Sequence, residues 1–208
     1  IELDLSNNPM LSGSVPLGVC TIPSLQVLSL PKVLLQLSYL ASSQLRTIRA
    51  RSVLVDSAAE HANSFIQFFD FSNTAIQMSV DSFMDNILGA FPGLQTLVCN
   101  NCSLTGVMCQ NADLWCNSAN NLSTLHLSAN QFSGDVIANF LDTSFFVQLQ
   151  DLDLSNTRVS GDMNFFPLFP SMSSLNLRGT QLSNSPQLSL LVALELLDIS
   201  HTSMLASS

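Results

Sequence analysis

Apolar residues recur along this chain in one repeated frame. From Leu122 to Gly134 the segment reads LSTLHLSANQFSG, and from Leu149 to Gly161 it reads LQDLDLSNTRVSG, in register at every apolar position. The shared pattern is L-x-x-L-x-L-S-x-N/T-x-h-S-G, where h is apolar. It also fits LQTLVCNNCSLTG from Leu94, MSSLNLRGTQLS from Met172 and LELLDISHTSM from Leu194. IQFFDFSNTAI from Ile66 fits with aromatic residues replacing leucines. LQVLSL from Leu25 and LRTIRA from Leu45 are weaker copies, and the opening IELDLSNN carries the later part of the motif. Copies begin near 25, 45, 66, 94, 122, 149, 172 and 194, with spacings of 20 to 28 residues. Within L-x-L the two leucines point to one face and their neighbours to the other. A single copy cannot bury that row, whereas stacked copies form a parallel sheet over a continuous leucine ladder.

The ninth motif position holds Asn8, Thr74, Cys102, Asn130, Thr157, Thr180 and Thr202. Side chains there are expected to hydrogen-bond the turning backbone of the next copy, which otherwise leaves buried polar groups unpaired. Val33 and Val53 hold the position in the weak copies, which predicts irregularity in that stretch. On the return side, residues 77–92 place Val80, Phe83, Met84, Ile87 and Leu88 at helical spacing, with Ser79 or Asp81 near the start and Gly89 and Pro92 near the end. Residues 55–65 and 136–147 are further candidates for short helices. From 149 onward the copies leave room only for turns or 3₁₀ segments.

In this frame the chain resembles the leucine-rich-repeat family over essentially its whole length. LSNNPMLSGSVP and LSANQFSGDV are similar to the extracellular subtype of plant receptor ectodomains. LSNTRVSG and LRGTQLS resemble repeats of kinetoplastid surface antigens. The resemblance implies an α/β fold: a right-handed solenoid, or horseshoe, with a concave parallel sheet of about nine strands and short helices or turns on the convex side. Residues 1–208 are expected to form a single domain, and both ends fall beside a strand motif, as in a piece of a longer chain. The function implied is non-enzymatic recognition of another protein or peptide by a cell-surface or secreted receptor or adhesin. The alternative is an intracellular or structural scaffold segment of a larger assembly.

Composition narrows the classes further. Apolar residues make up 47% of the chain and charged residues only 10%, so Ser, Asn, Thr and Gln must carry much of the solvent-facing surface. A net charge of −9 with a single lysine, Lys32, argues against nucleic acid, which requires a broad basic face. No run of about 18 apolar residues offers a membrane span, and no signal peptide is visible. No cofactor motif is present.

Five cysteines do not give a clean disulfide framework. Cys99 and Cys102 have zinc-knuckle spacing, but the frame places both in the core and no second pair completes a metal site, so they are expected to be reduced and metal-free. Cys109 and Cys116 flank an outer loop and form the candidate disulfide, which an extracellular setting would preserve. Asn121-Leu-Ser and Asn101-Cys-Ser match the glycosylation acceptor pattern, with Asn121 the better placed. His126 and Asp153 occupy equivalent concave positions in adjacent copies, but no nucleophile elbow accompanies them, and a solvated pair is expected rather than catalysis.

The concave row comprises Asp4, Ser29, Arg49, Asp70, Val98, His126, Asp153, Asn176 and Asp198. A second row beside it carries Arg51, Ser72, Asn100, Ser128, Ser155, Arg178 and Ser200, and Asp151 shares the same face. Four of the six basic residues, Lys32, Arg46, Arg49 and Arg51, cluster in the weak copies, whereas acidic residues dominate toward the other end. The candidate partner-binding residues are therefore Arg49, Arg51, Asp70, His126, Asp151, Asp153, Asn176, Arg178 and Asp198. A bland alternative has Arg49 pairing with Asp70, its lateral neighbour.

Overall fold

The computed structural model describes residues 1–41, 43–54, 65–109, 121–135, 148–163, 171–184 and 193–203, with backbone only at 53–54. The first elements are β1 (Glu2–Asp4), α1 (Leu17–Cys20), β2 (Val27–Ser29), β3 (Leu35–Gln36), a 3₁₀ turn (Leu37–Leu40), β4 (Thr47–Arg49) and β5 (Val53–Leu54). They are followed by β6 (Phe68–Asp70), α2 (Val80–Ala90), β7 (Thr96–Val98), β8 (Thr124–His126) and β9 (Ser133–Asp135). The last are β10 (Asp151–Asp153), β11 (Arg158–Asp162), β12 (Ser174–Asn176), β13 (Gln181–Ser183) and β14 (Leu196–Asp198).

Among the described residues, β1, β2, β4, β6, β7, β8, β10, β12 and β14 stand side by side as a nine-stranded sheet in that order. Every neighbouring pair is parallel, and the middle residues fall in register: Leu3, Leu28, Ile48, Phe69, Leu97, Leu125, Leu152, Leu175 and Leu197. From Leu28 to Leu175 each of these is fully buried. The motif frame and the strand register are therefore the same object. The Phe-rich copy packs under a long return segment: Phe69 meets Phe91 edge-on at 4.8 Å and Phe71 meets Phe83 at 6.1 Å. The α2 helix covers them with Phe83, Met84, Ile87 and Leu88, and Ser79 caps it by accepting the Ser82 amide at 3.1 Å. The expected helix over 77–92 is thus present and shorter, while 55–64 and 136–147 lie outside the described residues.

The turn after each strand locks one copy to the next. The eighth motif residue is left-handed at Asn73, Asn101, Ala129, Asn156, Gly179 and His201, with φ between 54° and 69°. From Asn73 to Gly179, its amide donates to a carbonyl of the following copy, as Asn101 does to Ser128 at 2.9 Å. The ninth residue works in the other direction from that expected. Thr157, Thr180 and Thr202 donate to carbonyls at their own strand exits, Leu154, Leu177 and Ile199, at 2.6, 2.6 and 2.9 Å. Asn130 reaches back to the preceding copy: its Oδ1 accepts the amides of Cys102 and Leu104, and its Nδ2 donates to the Cys99 and Leu127 carbonyls. Thr74 also reaches the preceding copy, donating to the Ala50 carbonyl at 3.4 Å, so among the described residues the threonines from 157 onward stay within their own copy while Asn130 and Thr74 join two.

The expectation for Cys99 and Cys102 is corrected, because the two form a disulfide. Sixth and ninth motif positions both point inward, and the left-handed turn at Asn101 brings their Cα atoms to 5.7 Å, inside the range a disulfide requires. Both cysteines remain fully buried, so their core placement stands. Asn130 then supplies the hydrogen bonds that a bridged Cys102 cannot make.

The short C-terminal copies also depart from expectation. Instead of turns alone, β9, β11 and β13 form a second, three-stranded parallel sheet on the convex side. Their register advances by two residues per copy, Ser133 facing Arg158 and Ser160 facing Gln181. The Ser-Gly of the motif explains why: Ser133, Ser160 and Ser183 hydroxyls donate to the Gly106, Gly134 and Gly161 carbonyls of the preceding copy. A side chain at Gly134, whose φ is +138°, would stand 3.1 Å from the Met108 backbone.

Candidate functional site: the concave face

Each three-residue strand turns its first and third residues to the concave side. The third-residue row is the one read from the sequence. The first-residue row, including Glu2, Thr47, Phe68, Thr96 and Thr124, was missed apart from Asp151, although the period of two that places Arg49 and Arg51 on this face places it there too. Ser29 and Ser155 are buried and present little to a partner.

All four acidic residues of the third-residue row have a local task. Asp4, Asp70, Asp153 and Asp198 each accept the amide two residues on, at Ser6, Ser72, Ser155 and Ser200, at 2.8 to 2.9 Å. Asn176 does the same for Arg178 at 3.2 Å. These bonds satisfy backbone donors where the strand ends and the ladder stops. The hydrogen bonds from Ser6 and Ser200 hold the Asp4 and Asp198 carboxyls below the usual carboxylate range. The D-x-S pattern is thus part of the repeat frame rather than free recognition chemistry.

This task also decides the partner of His126. Asp153 is its register neighbour, as expected, but Asp153 is turned along its own strand toward Ser155. The imidazole Nε2 instead meets the Asp151 carboxylate diagonally, at 2.8 Å. Among the described residues no other side-chain base stands this close to a carboxylate, and no hydroxyl stands in hydrogen-bond reach of the imidazole to act as a nucleophile.

The N-terminal end of the face forms a cleft of about 320 Å³, lined by Glu2, Asp4, Arg49, Arg51, Asp70 and Ser72 among others. Arg49 stands beside Asp70 in register but does not pair with it, which removes the bland alternative. Its guanidinium lies over the Phe68 ring instead, 5.1 Å from the centroid. Neither Arg49 nor Arg51 makes a side-chain hydrogen bond or an ion pair among the described residues. Toward the other end, Arg178 stands near Asp198 and helps to lower its carboxyl.

The remaining candidates lie elsewhere. Asn121 and Asn101 are both exposed; their side-chain Nδ2 groups donate to the Pro92 carbonyl at 2.7 Å and to Asn73 Oδ1 at 3.1 Å. The Cys109 amide donates to Asp81 at 2.8 Å, while Cys116 lies outside the described residues and with it the expected Cys109–Cys116 bridge. Burial pushes the Cys20 thiol up to about 11, which keeps it protonated and inert. No helix of the described residues is long and apolar enough to cross a membrane.

No family model matches the chain, and no curated protein matches it. Solved structures do. A TDR receptor is similar over 98% of this chain and 35% of its own, at 20% identity and a TM-score of 0.73. A leucine-rich-repeat protein of Leptospira interrogans is similar over 97% of this chain and 49% of its own, at 17% identity and a TM-score of 0.72. The ectodomain of the Arabidopsis receptor kinase HAESA, in complex with a peptide hormone ligand, is similar over 97% of this chain and 34% of its own, at 23% identity and a TM-score of 0.68. This chain therefore spans about a third to a half of the length of those structures. The chain has the leucine-rich-repeat fold.

Proposed function

We propose that this chain is a recognition module that binds a protein or peptide partner through its concave face, centred on the N-terminal cleft. The observation that carries the reading is the state of Arg49 and Arg51. Both stand in a concave cleft of a chain with net charge −9, and neither is paired. Arginine donors left open in a concavity are available to an anionic group of a partner, and the acidic rim of Glu2, Asp4 and Asp70 would orient a partner of mixed charge. The likeness to a receptor ectodomain holding a peptide hormone agrees with this reading. Toward the other end of the face, His126, Asp151, Asp153, Asn176, Arg178 and Asp198 form a more occupied flank of the same surface.

The module is read as non-enzymatic and as part of a longer cell-surface or secreted chain, with residues 1–208 forming one solenoid. The Cys99–Cys102 disulfide supports an oxidising setting, in which Cys109 and Cys116 would also pair and Asn121, then Asn101, would carry glycan. Peptide mapping under non-reducing conditions tests the setting: reduced thiols with unmodified Asn121 and Asn101 would favour the intracellular scaffold instead. The binding face is tested by hydrogen exchange on a complex with a captured partner. Protection is expected at strand-exit amides from β1 to β6, and added salt should slow association. Protection confined to α2 would move the interface to the convex side.

A further inference from the structure

We propose that Phe68 is a positioning residue of this cleft: its ring holds the Arg49 guanidinium away from Asp70 and so keeps an anion-binding subsite open beside Arg51. The inference rests on the proposed cleft and concerns how its cationic edge is maintained. Arg49 and Asp70 are register partners on adjacent parallel strands, third residue beside third residue. Side chains so placed on one face of a sheet are in range to pair. They do not, and two contacts explain why.

On one side, Asp70 Oδ1 accepts the Ser72 amide at 2.9 Å, which turns the carboxylate along its own strand. On the other, Phe68 precedes Asp70 by two residues, so its ring shares the concave face and offers its π surface one position along β6. The guanidinium lies 5.1 Å from the centroid of that ring, with its N–H edge uncommitted. A guanidinium held over a ring makes no hydrogen bond there and keeps its N–H donors for another group, whereas a carboxylate would take them. The two contacts therefore act together, one withholding the competing acid and the other the arginine. Arg51, on the same face of β4's continuation, adds a second set of open donors at the cleft wall. The ligand group that fits is an oxyanion of the partner.

Inorganic phosphate at low ionic strength is a suitable probe, with the arginine Nε–Hε resonances of the whole chain as the readout. Phosphate should shift Arg49 and Arg51 in the unmodified protein. Phe68→Leu should weaken phosphate binding roughly threefold to fivefold, the scale of an exposed cation–π contact, as Arg49 swings to Asp70. Phe68→Tyr keeps the ring and should bind as the unmodified chain does. Phe68→Leu combined with Asp70→Asn should recover binding, because the amide oxygen still accepts from Ser72 while the competing charge is gone. A merely structural role for Phe68 would not show that recovery. Phosphate binding that is absent in the unmodified chain, unchanged in Phe68→Leu, or not recovered in the double variant overturns the proposal. Partner binding that is insensitive to charge reversal at Arg49 would instead sink the proposed interface, and the phosphate titration would still report on Phe68.

Discussion

The cleft between β1 and β6 and the flank from β8 to β14 are built on one frame, yet they leave different charges available. Their acids behave alike: Asp4 and Asp70 in the cleft, Asp153 and Asp198 in the flank, all accept the amide two residues on. The bases differ. In the cleft, Arg49 rests on a ring with its charge felt by the Asp4 carboxyl, and Arg51 is unpaired; in the flank His126 is taken by Asp151, while Arg178 stands near Asp198 without an ion pair. A count of concave charges would rank the acidic flank as the richer recognition surface. What remains open reverses the ranking: the flank's acids and His126 are engaged and leave Arg178 alone, whereas the cleft gathers two open arginines in one concavity.

If the two regions differ only in surface chemistry, their cores should be equally intolerant. Ile48→Ala under the cleft and Leu152→Ala or Leu154→Ala under the flank should each cost about 2–5 kcal/mol in denaturant melts, since all three side chains are fully buried. A harmless Ile48→Ala would mean that the cleft region is loosely packed and that its unpaired arginines reflect that looseness. Between the regions, Asn130→Ala should cost about 3 kcal/mol, because it strands two buried backbone donors and the Cys99 carbonyl of the preceding copy as well as the Leu127 carbonyl of its own. Thr157→Ala removes one bond within its own copy and should cost about 1 kcal/mol. Similar losses at the two sites would show that Asn130 does not link copies.

The smallest effect concerns acid. Ser6 and Ser200 lower the folded-state carboxyls of Asp4 and Asp198, so the unfolded chain binds protons first as pH falls. Their stabilisation is present above about pH 4, the ordinary aspartate range, and is lost as pH drops through the lower folded-state values. Both groups are exposed, so the change should be slight. Comparing Asp198→Asn with the unmodified chain in melts at pH 6 and pH 3 should show a slightly smaller acid sensitivity in the variant, and an equal or greater sensitivity would count against the cap.

The leucine ladder was legible in the sequence because its constraint is periodic: Leu97, Leu125, Leu152 and Leu175 could hold no other place once the frame was found. What the frame did not carry were choices between side chains that share a face. Asp151 and Asp153 are both concave, and only the strand-exit bond to Ser155 decides which of them reaches His126. Cys99 and Cys102 satisfy the core positions as thiols or as a bridge, and the local turn at Asn101 decides. Phe68 read as one more aromatic in a Phe-rich copy, although its parity already placed it beside Asp70 on the open face. The second sheet was hidden because Ser-Gly looks like a turn, while its hydroxyl in fact clamps the previous copy.

The central claim is that availability, not number, of concave charges marks the binding region. It is tested most directly by the affinity of Arg49→Glu and Arg178→Glu for one captured partner, measured side by side at fixed ionic strength by calorimetry. The account predicts a loss of tenfold or more, about 1.4 kcal/mol, for Arg49→Glu, and a change within about twofold for Arg178→Glu, about 0.4 kcal/mol. An equal or larger loss at Arg178, with Arg49→Glu binding like the unmodified chain, would contradict it.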